Sequence, residues 1–228
     1  MSQLTIHRAL ALKKTTEERI SNEIVNAKYI EIRQGKKGTI KGVPVEKVES
    51  NIRASFDKIN QLISNYGRLK AAILQSNAGV RSIPEDLHKV TVAGKDYTMA
   101  ELISASDEIY GNKKHRNAFK AFLLTAMKNA YADATRRIET QHERIESDIK
   151  DYLAKAAATD KGMTSDEIKK RSDMFHEDGD YVLVDPLNLK EAIEKLEAEI
   201  KTFRADCDAT MSEQNALTTI EVDLTDVD

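Results

Sequence analysis

Three histidines of this sequence follow a carboxylate by three residues, a spacing that places the two side chains on one face of a helix. The pairs are Glu85–His88, Glu139–His142 and Asp173–His176. Helical bundles that bind two iron or manganese ions use two facing pairs of this kind and two further glutamates. Only the Glu139–His142 pair falls within a predicted long helix, so we expect no metal site and assign His142 to a polar position in a helical seam. A metalloprotein that uses Glu139 and His142 is the last of three functional alternatives.

The segment RQGKKGTIKG is the strongest candidate for binding a ligand. It combines three glycines with the basic residues Arg33, Lys36, Lys37 and Lys41. Exposed backbone N–H groups and ammonium groups can together hold a phosphate. The Walker pattern is absent, however, and the loop is predicted to follow a helix rather than a strand. A solvated turn is therefore the favoured interpretation of this segment, as it is for the second basic cluster at Lys113–Arg116.

Nucleophilic catalysis has little support in the sequence. Cys207 is the single cysteine, which excludes an internal disulfide and any site with several cysteine ligands. It falls on an apolar helical stripe, where cysteine behaves as a small apolar residue. No Gly-x-Ser-x-Gly elbow is present. We predict that the chain is not an enzyme, and we assign it no catalytic residue and no cofactor.

Two stripes of apolar residues are the strongest pattern in the chain. The first consists of Ile52, Phe56, Ile59, Ile63, Tyr66 and Ile73, and the second of Leu189, Ile193, Leu196, Ile200, Phe203 and Cys207. Both advance by three or four residues over about three heptads, with Lys70 at the one polar position of the first stripe, and this pattern is typical of coiled-coil seams. Such a seam can pack inside one chain or between copies. We expect a mixture, with helical hairpins that then associate into a homo-oligomer.

Periodicity, turn residues and capping signals predict the remaining elements. Helices are expected at 5–32, from Pro44 to about 77, from Thr98 to about 155 with an interruption near Gly111, at 164–175, and from Pro186 onwards. Short strands are expected at 39–45, 90–97 and 181–184, and the tail is β-prone over 218–222 before it turns acidic. Three regions follow: 1–157 with a β-hairpin near 88–98, 158–185 with a short helix and strand, and 186–228 with the last long helix and the tail.

The composition favours long, thin helices. Charged residues make up 32 % of the chain and aromatic residues 5 %, with no Trp and only three Pro. We therefore predict an all-α fold of long antiparallel helical hairpins with coiled-coil packing and small β elements at the turns. The formal net charge is −3, so nucleic acid is not expected as a partner. The sequence shows neither a secretory pattern nor a membrane-spanning stretch, and we predict a cytoplasmic location.

Several segments resemble a small helical family named septicolysin. The stretch VDPLNLKEAIEKLEAEIKTFRADCDATMSEQNALTTIEV is similar to the end of those chains, and ALALKKTTEERISNEIVNAKYIEI and INQLISNYGRLKAAILQSNA are similar to earlier parts. With its VTVAGKDYTMAELI hairpin, the whole chain also resembles proteins encoded by bacteriophages of Gram-positive hosts. It departs from the family at Asn215-Ala216, where the bacterial chains have Asn-Trp, and residues 155–180 resemble an insertion.

The resemblance implies an all-helical, oligomeric, phage-encoded protein and carries over no catalytic residue. Our leading hypothesis is a non-enzymatic assembly or interaction protein: a virion or assembly component, or a binder of a host protein. It would act in the host cytoplasm or the virion. The second hypothesis is an oligomer that sequesters an anionic small molecule, such as a nucleotide signal, near Arg33 to Lys41.

Overall fold

The structure, a computed structural model, describes residues 4–77, 89–111, 118–157 and 164–217. In these residues the chain is mainly helical, as predicted, with short antiparallel strand pairs. The helices are α1 (Ile6–Asn26), α2 (Val45–Asn77), α3 (Met99–Ile109), α4 (Phe119–Ala157), α5 (Ser165–Gly179) and α6 (Leu189–Leu217). The strands are β1 (Glu31–Gln34), β2 (Thr39–Ile40), β3 (Val43–Pro44), β4 (Val90–Val92), β5 (Lys95–Tyr97) and β6 (Tyr181–Val184). β1 pairs with β6, β2 with β3, and β4 with β5.

The first helix is shorter than predicted. It ends at Asn26, and the prediction that it continues to Ile32 is wrong. The chain instead forms β1, which pairs antiparallel with β6 so that Glu31 lies opposite Val184. The approach to this strand is buried at Tyr29, and burial raises the pKa of that phenol to about 12. Strand pairing and burial override the helical periodicity of these residues. The local pattern does not reveal this, because the partner strand lies far along the chain.

The predicted β-hairpins and capping boxes are present. β4 and β5 are joined by Ala93 and Gly94, whose φ angles of 49° and 76° are those of a type I′ turn. β2 and β3 form the short hairpin expected at 39–45. Thr98 and Thr164 cap α3 and α5: each hydroxyl accepts a bond from the N–H of a glutamate three residues later, and that glutamate's carboxylate accepts a bond from the threonine N–H. These local patterns begin both helices at the expected residues.

The two predicted first-turn prolines do not lie in helices. α6 begins at Leu189, so the prediction that it begins at Pro186 is wrong. The Asp185 carboxylate instead accepts hydrogen bonds from the N–H groups of Leu187, at 3.3 Å, and Leu189, at 2.8 Å. It therefore folds a turn ahead of the helix. Pro44 similarly ends β3, one residue before α2.

The chain divides into two compact units. The described residues of unit 1 come from Met1–Ser21, Leu62–Phe122 and Lys195–Asp228, and those of unit 2 from Asn22–Gln61 and Leu123–Glu194. Helices α1, α2, α4 and α6 each contribute residues to both units. The sequence-based division at residues 157 and 185 stays a prediction about domains.

Each unit has its own buried residues. In unit 1, a cluster of apolar side chains consists of Val90, Val92, Leu102, Phe203 and Cys207. Tyr66 and Phe119 of the same unit meet edge to face, with ring centroids 5.2 Å apart. In unit 2, the buried side chains include Ile24, Ile32, Ile52, Ile59, Leu123, Met127, Ile145, Ile149, Val184 and Leu189. Burial of these side chains is the main source of stability in each unit.

The side chains of the two predicted seams are largely buried in a single chain. Ile52, Ile59, Tyr66, Ile73, Leu189, Ile193, Phe203 and Cys207 are buried, and Phe56, Ile63, Leu196 and Ile200 are partly buried. Lys70, the polar position of the first seam, lies 3.4 Å from a carboxylate oxygen of Glu108. Burial raises the pKa of Glu108, and Lys70 partly opposes that shift. The role of these stripes as seams between copies stays a prediction.

Three features of the sequence lie outside the described residues. They are the Glu85–His88 pair, the basic cluster at Lys113–Arg116 and the β-prone segment at 218–222. Among the helices that the structure does describe, none has a stretch long and apolar enough to cross a lipid bilayer.

Replacing Ile59 with Asp is expected to lower the free energy of unfolding by about 3–5 kcal/mol, because it places an unpaired charge in an apolar interior. Ile59 is fully buried. Ile63→Asp, at a partly buried position, should cost about 1–2 kcal/mol. Urea unfolding followed by circular dichroism measures both. If Ile59→Asp keeps the parent's unfolding midpoint and only lowers the native mass, the first seam packs between copies and its place in the core of one chain is wrong.

Candidate functional site

Four side chains of unit 2 form a histidine–carboxylate cluster: His142, Glu146, His176 and Asp180. α4 supplies His142 and Glu146, and the end of α5 supplies His176 together with Asp180, the residue that caps it. Within each pair the residues are four apart, so both side chains project from the same helix face. The cluster therefore arises where these two faces meet.

The contacts within the cluster are at hydrogen-bonding distance. The carboxylate of Asp180 lies 3.3 Å from Nδ1 of His142 and 3.0 Å from Nδ1 of His176. Nε2 of His176 lies 3.1 Å from a carboxylate oxygen of Glu146. The two imidazole rings are stacked, with centroids 5.1 Å apart and an angle of 29° between their planes. Asp180 thus bridges both histidines, and His176 contacts a carboxylate through each of its nitrogens.

Gly179 permits a close contact between the end of α5 and α4. A Cβ atom at this position would lie 2.8 Å from Cδ1 of Ile145, closer than van der Waals contact allows. The side-chain amide of Gln141 donates a hydrogen bond to the Gly179 carbonyl at 3.1 Å. Ile145, which lies between His142 and Glu146 in the sequence of α4, is buried. The missing side chain therefore permits the end of α5 to lie against the part of α4 that carries the cluster.

A second close contact joins the end of α5 to the turn after β1. The N–H of Gly35 donates to the Asp180 carbonyl at 2.7 Å. Gly35 has a φ of +51°, and a Cβ there would lie 2.9 Å from the Asp178 carbonyl oxygen. Only glycine satisfies both conditions without strain. Lys36 adds an exposed ion pair with Glu177 at 2.8 Å, which contributes little to stability.

The cluster has the composition of a metal-binding site. One ligand atom from each of His142, His176 and Asp180 can be chosen so that all lie within 4.8 Å of one another. The His142 side chain is 55 % exposed, and that of His176 24 %. Imidazole nitrogens with one carboxylate oxygen are donors that first-row divalent metals accept. Without a metal, each contact is a hydrogen bond where the imidazole nitrogen carries the proton, since an ionised carboxylate can only accept.

The sequence indicated two of these residues with the wrong partners. Glu139 and Asp173, which precede His142 and His176 by three positions, are exposed and belong to no such cluster among the described residues. The carboxylates of the cluster, Glu146 and Asp180, lie four residues after His142 and His176; Asp180 contacts both histidines, and Glu146 contacts His176. A search for His-x-x-x-acid pairs would have found both. The facing of the two pairs depends on the contact at Gly179, which no spacing rule reveals.

Three basic side chains in and after β1, those of Arg33, Lys36 and Lys37, have partners within unit 2. Arg33 donates to the Gly35 carbonyl at 2.9 Å, and Lys37 donates to the side chain of Gln34 at 2.8 Å. Lys41 is exposed, with a φ of 50°. The loop follows a strand, contrary to the prediction that it follows a helix. These contacts are those of a turn, and anion binding at this loop stays a prediction.

Cys207 lies among apolar side chains of unit 1. It is fully buried, and burial raises the pKa of its thiol, an effect that a hydrogen bond with Tyr110 partly opposes. The Tyr110 hydroxyl lies 3.2 Å from Asp208, and burial also raises the pKa of Tyr110. A nucleophilic cysteine needs the opposite, namely a lowered pKa and access to solvent.

Comparisons of the chain with protein-family models, with curated proteins and with solved structures find no significant match. The resemblance to the septicolysin family stays a prediction.

Gly179→Ala is expected to destabilise the protein by about 1 kcal/mol, because the added methyl group overpacks the contact with Ile145. Ile145→Val alone should cost about 0.5–1.5 kcal/mol through the lost methyl group. The double variant should lose less than the sum, since valine lacks the Cδ1 atom that the new methyl group meets. Chemical unfolding of all four proteins gives this double-mutant cycle. Strict additivity would show that α5 does not approach α4 as described.

The thiol of Cys207 is expected to react with a disulfide reagent at least about tenfold more slowly in the folded protein than in urea. The thiolate is the reactive form, and a raised pKa lowers its fraction near pH 8. The rate in the folded protein should therefore increase as pH rises towards 10. Absorbance of the released thiol follows the reaction, with the urea-unfolded protein as control. Equal rates in both states would place Cys207 at the surface.

Proposed function

We propose that this chain is a non-enzymatic helical interaction protein that associates with other copies of itself. The proposal keeps the finer features predicted from the sequence, namely antiparallel helical hairpins with coiled-coil packing. It also keeps the resemblance to phage-encoded proteins, so that the protein would act in the host cytoplasm or the virion. The association surface, however, lies on a different helix from the two predicted seams.

The observation that carries the proposal is an exposed group of large apolar side chains on and just before the first half of α1. This group, the α1 apolar surface, consists of Leu4, Ile6, Leu10 and Leu12, which are 46 %, 38 %, 47 % and 45 % exposed. Single exposed apolar residues are normal, but four within nine positions favour a binding surface.

The second half of α1 behaves differently. Ile20 and Ile24 are almost completely buried.

In the first half of α1, Ile6 and Leu10, four residues apart, share one helix face. Leu12 projects from another, because two further residues turn a helix by about 200°. A helix segment that is apolar on more than one side is usually covered by other protein. This supports α1 as the element through which copies meet.

The positive charge of residues 4–14, which include the α1 apolar surface, favours an acidic, apolar counterpart. From Leu4 to Lys14 the chain carries His7, Arg8, Lys13 and Lys14 and no acidic residue. The stretch 218–228 has the complementary composition, with four carboxylates, no basic residue and interspersed Ile220, Val222, Leu224 and Val227. A second copy of the chain therefore contains a segment whose chemistry matches α1, and complementary charge sets register and partner choice.

The native mass of the purified chain tests the proposal, measured by light scattering after size exclusion at two concentrations. A mass that is a multiple of the 25.6 kDa chain is expected. Leu10→Asp should shift it to the monomer without unfolding the protein, because Leu10 is exposed and its replacement leaves no cavity. Removal of residues 218–228 should have the same effect.

Val25→Asp is the matched control, since Val25 is an exposed apolar residue of the same helix, outside the α1 apolar surface. It should leave the mass unchanged. A parent that is monomeric at both concentrations contradicts self-association. If truncation increases hydrogen exchange in α1 while the mass stays monomeric, the acidic stretch binds within its own chain and the proposal fails.

A further inference from the structure

We propose that His142, His176 and Asp180 bind one zinc ion and that Glu146 orients His176 for this role. The proposal does not depend on self-association, because the whole cluster belongs to unit 2 of a single chain. It rests on the spacing of the donor atoms, on the second contact of His176, and on the access of solvent to His142.

The donor atoms lie close enough together for side-chain rotation to bring them to the separation that zinc requires. Zinc–nitrogen and zinc–oxygen bonds of about 2.0–2.1 Å in a tetrahedron place neighbouring ligand atoms about 3.3–3.4 Å apart. The observed distances are 3.3 Å from His142 Nδ1 to Oδ1 of Asp180 and 3.0 Å from His176 Nδ1 to Oδ2 of the same carboxylate. One ligand atom from each of the three side chains lies within 4.8 Å of the other two, so side-chain rotations would have to bring them together around one ion.

Glu146 has the position of an outer partner of a zinc-binding histidine. A metal-bound imidazole almost always donates its other ring N–H to a carboxylate or carbonyl, which sets the tautomer and the ring orientation. His176 has this arrangement, with Nδ1 towards Asp180 and Nε2 at 3.1 Å from Glu146. With Nδ1 as the ligand atom, Nε2 carries the proton and Glu146 accepts it in a hydrogen bond.

The donor set favours zinc over calcium or magnesium. Those two ions prefer sites made entirely of oxygen ligands, whereas two imidazoles suit zinc and its first-row neighbours. Three protein ligands leave the fourth tetrahedral position for water or another small ligand. The exposed His142 provides the route of entry. The ion would join α4 to the end of α5 at the point where Gly179 permits their contact.

The first experiment is calorimetric titration of the chelator-treated full chain with zinc chloride. We expect about one ion per chain, because the three side chains and one water complete a single tetrahedral site. His142→Ala and His176→Ala should each weaken binding by more than about tenfold, and Glu146→Gln by about tenfold or more. Circular dichroism should show all three variants folded like the parent, since these side chains are not part of the apolar core.

Two matched controls separate this site from incidental binding. His7→Ala removes an exposed histidine of α1. Glu139→Ala removes the carboxylate that the sequence pattern paired with His142. Both should bind zinc like the parent. Cobalt(II) provides an independent readout, since a tetrahedral site with two imidazoles gives visible absorption that His176→Ala should abolish. The proposal is overturned if the parent does not bind zinc, or if the His142→Ala and His176→Ala variants bind zinc as tightly as the parent.

Discussion

The pairing of β1 with β6 is the contact on which the geometry of unit 2 depends. The two strands are remote in sequence, yet Glu31 lies opposite Val184 and the Gly35 N–H continues the contact to Asp180. Because β6 directly follows α5, this pairing sets where α5 ends. The histidine–carboxylate cluster therefore depends on a short strand pair as much as on the helices that carry its side chains.

Features specified within a few residues could be predicted from the sequence. The Thr98 and Thr164 capping boxes each act over four residues, and the Ala93-Gly94 turn needs only two positive φ angles. The end of α1 could not be predicted in this way, because residues up to Ile32 have acceptable helical periodicity. What removes them from the helix is a partner strand that arrives much later in the chain. Pairing with a distant strand can therefore outweigh the local helical propensity.

The candidate site shows the same limit at the level of side chains. The sequence alone marks the histidines as potential metal ligands, but the carboxylates at spacing three are the wrong partners. The contacting carboxylates come into place because Gly179 lets α5 approach Ile145. Glycine is not a potential ligand, so a search of the sequence for ligand residues does not detect the role of Gly179. The donor types of a site can thus be read from a sequence, whereas their assembly depends on packing.

Apolar periodicity likewise reveals a stripe without revealing what covers it. Ile52, Ile59 and Tyr66 of the first stripe are buried in their own chain, while Ile6 and Leu10 of α1, four residues apart on one helix face, remain exposed. Since burying a large apolar side chain is worth about 1.5–3 kcal/mol, a stripe left exposed represents stabilisation that the single chain does not obtain. That unused free energy is available to an association between chains, and on these grounds α1 is a better candidate interface than either heptad seam.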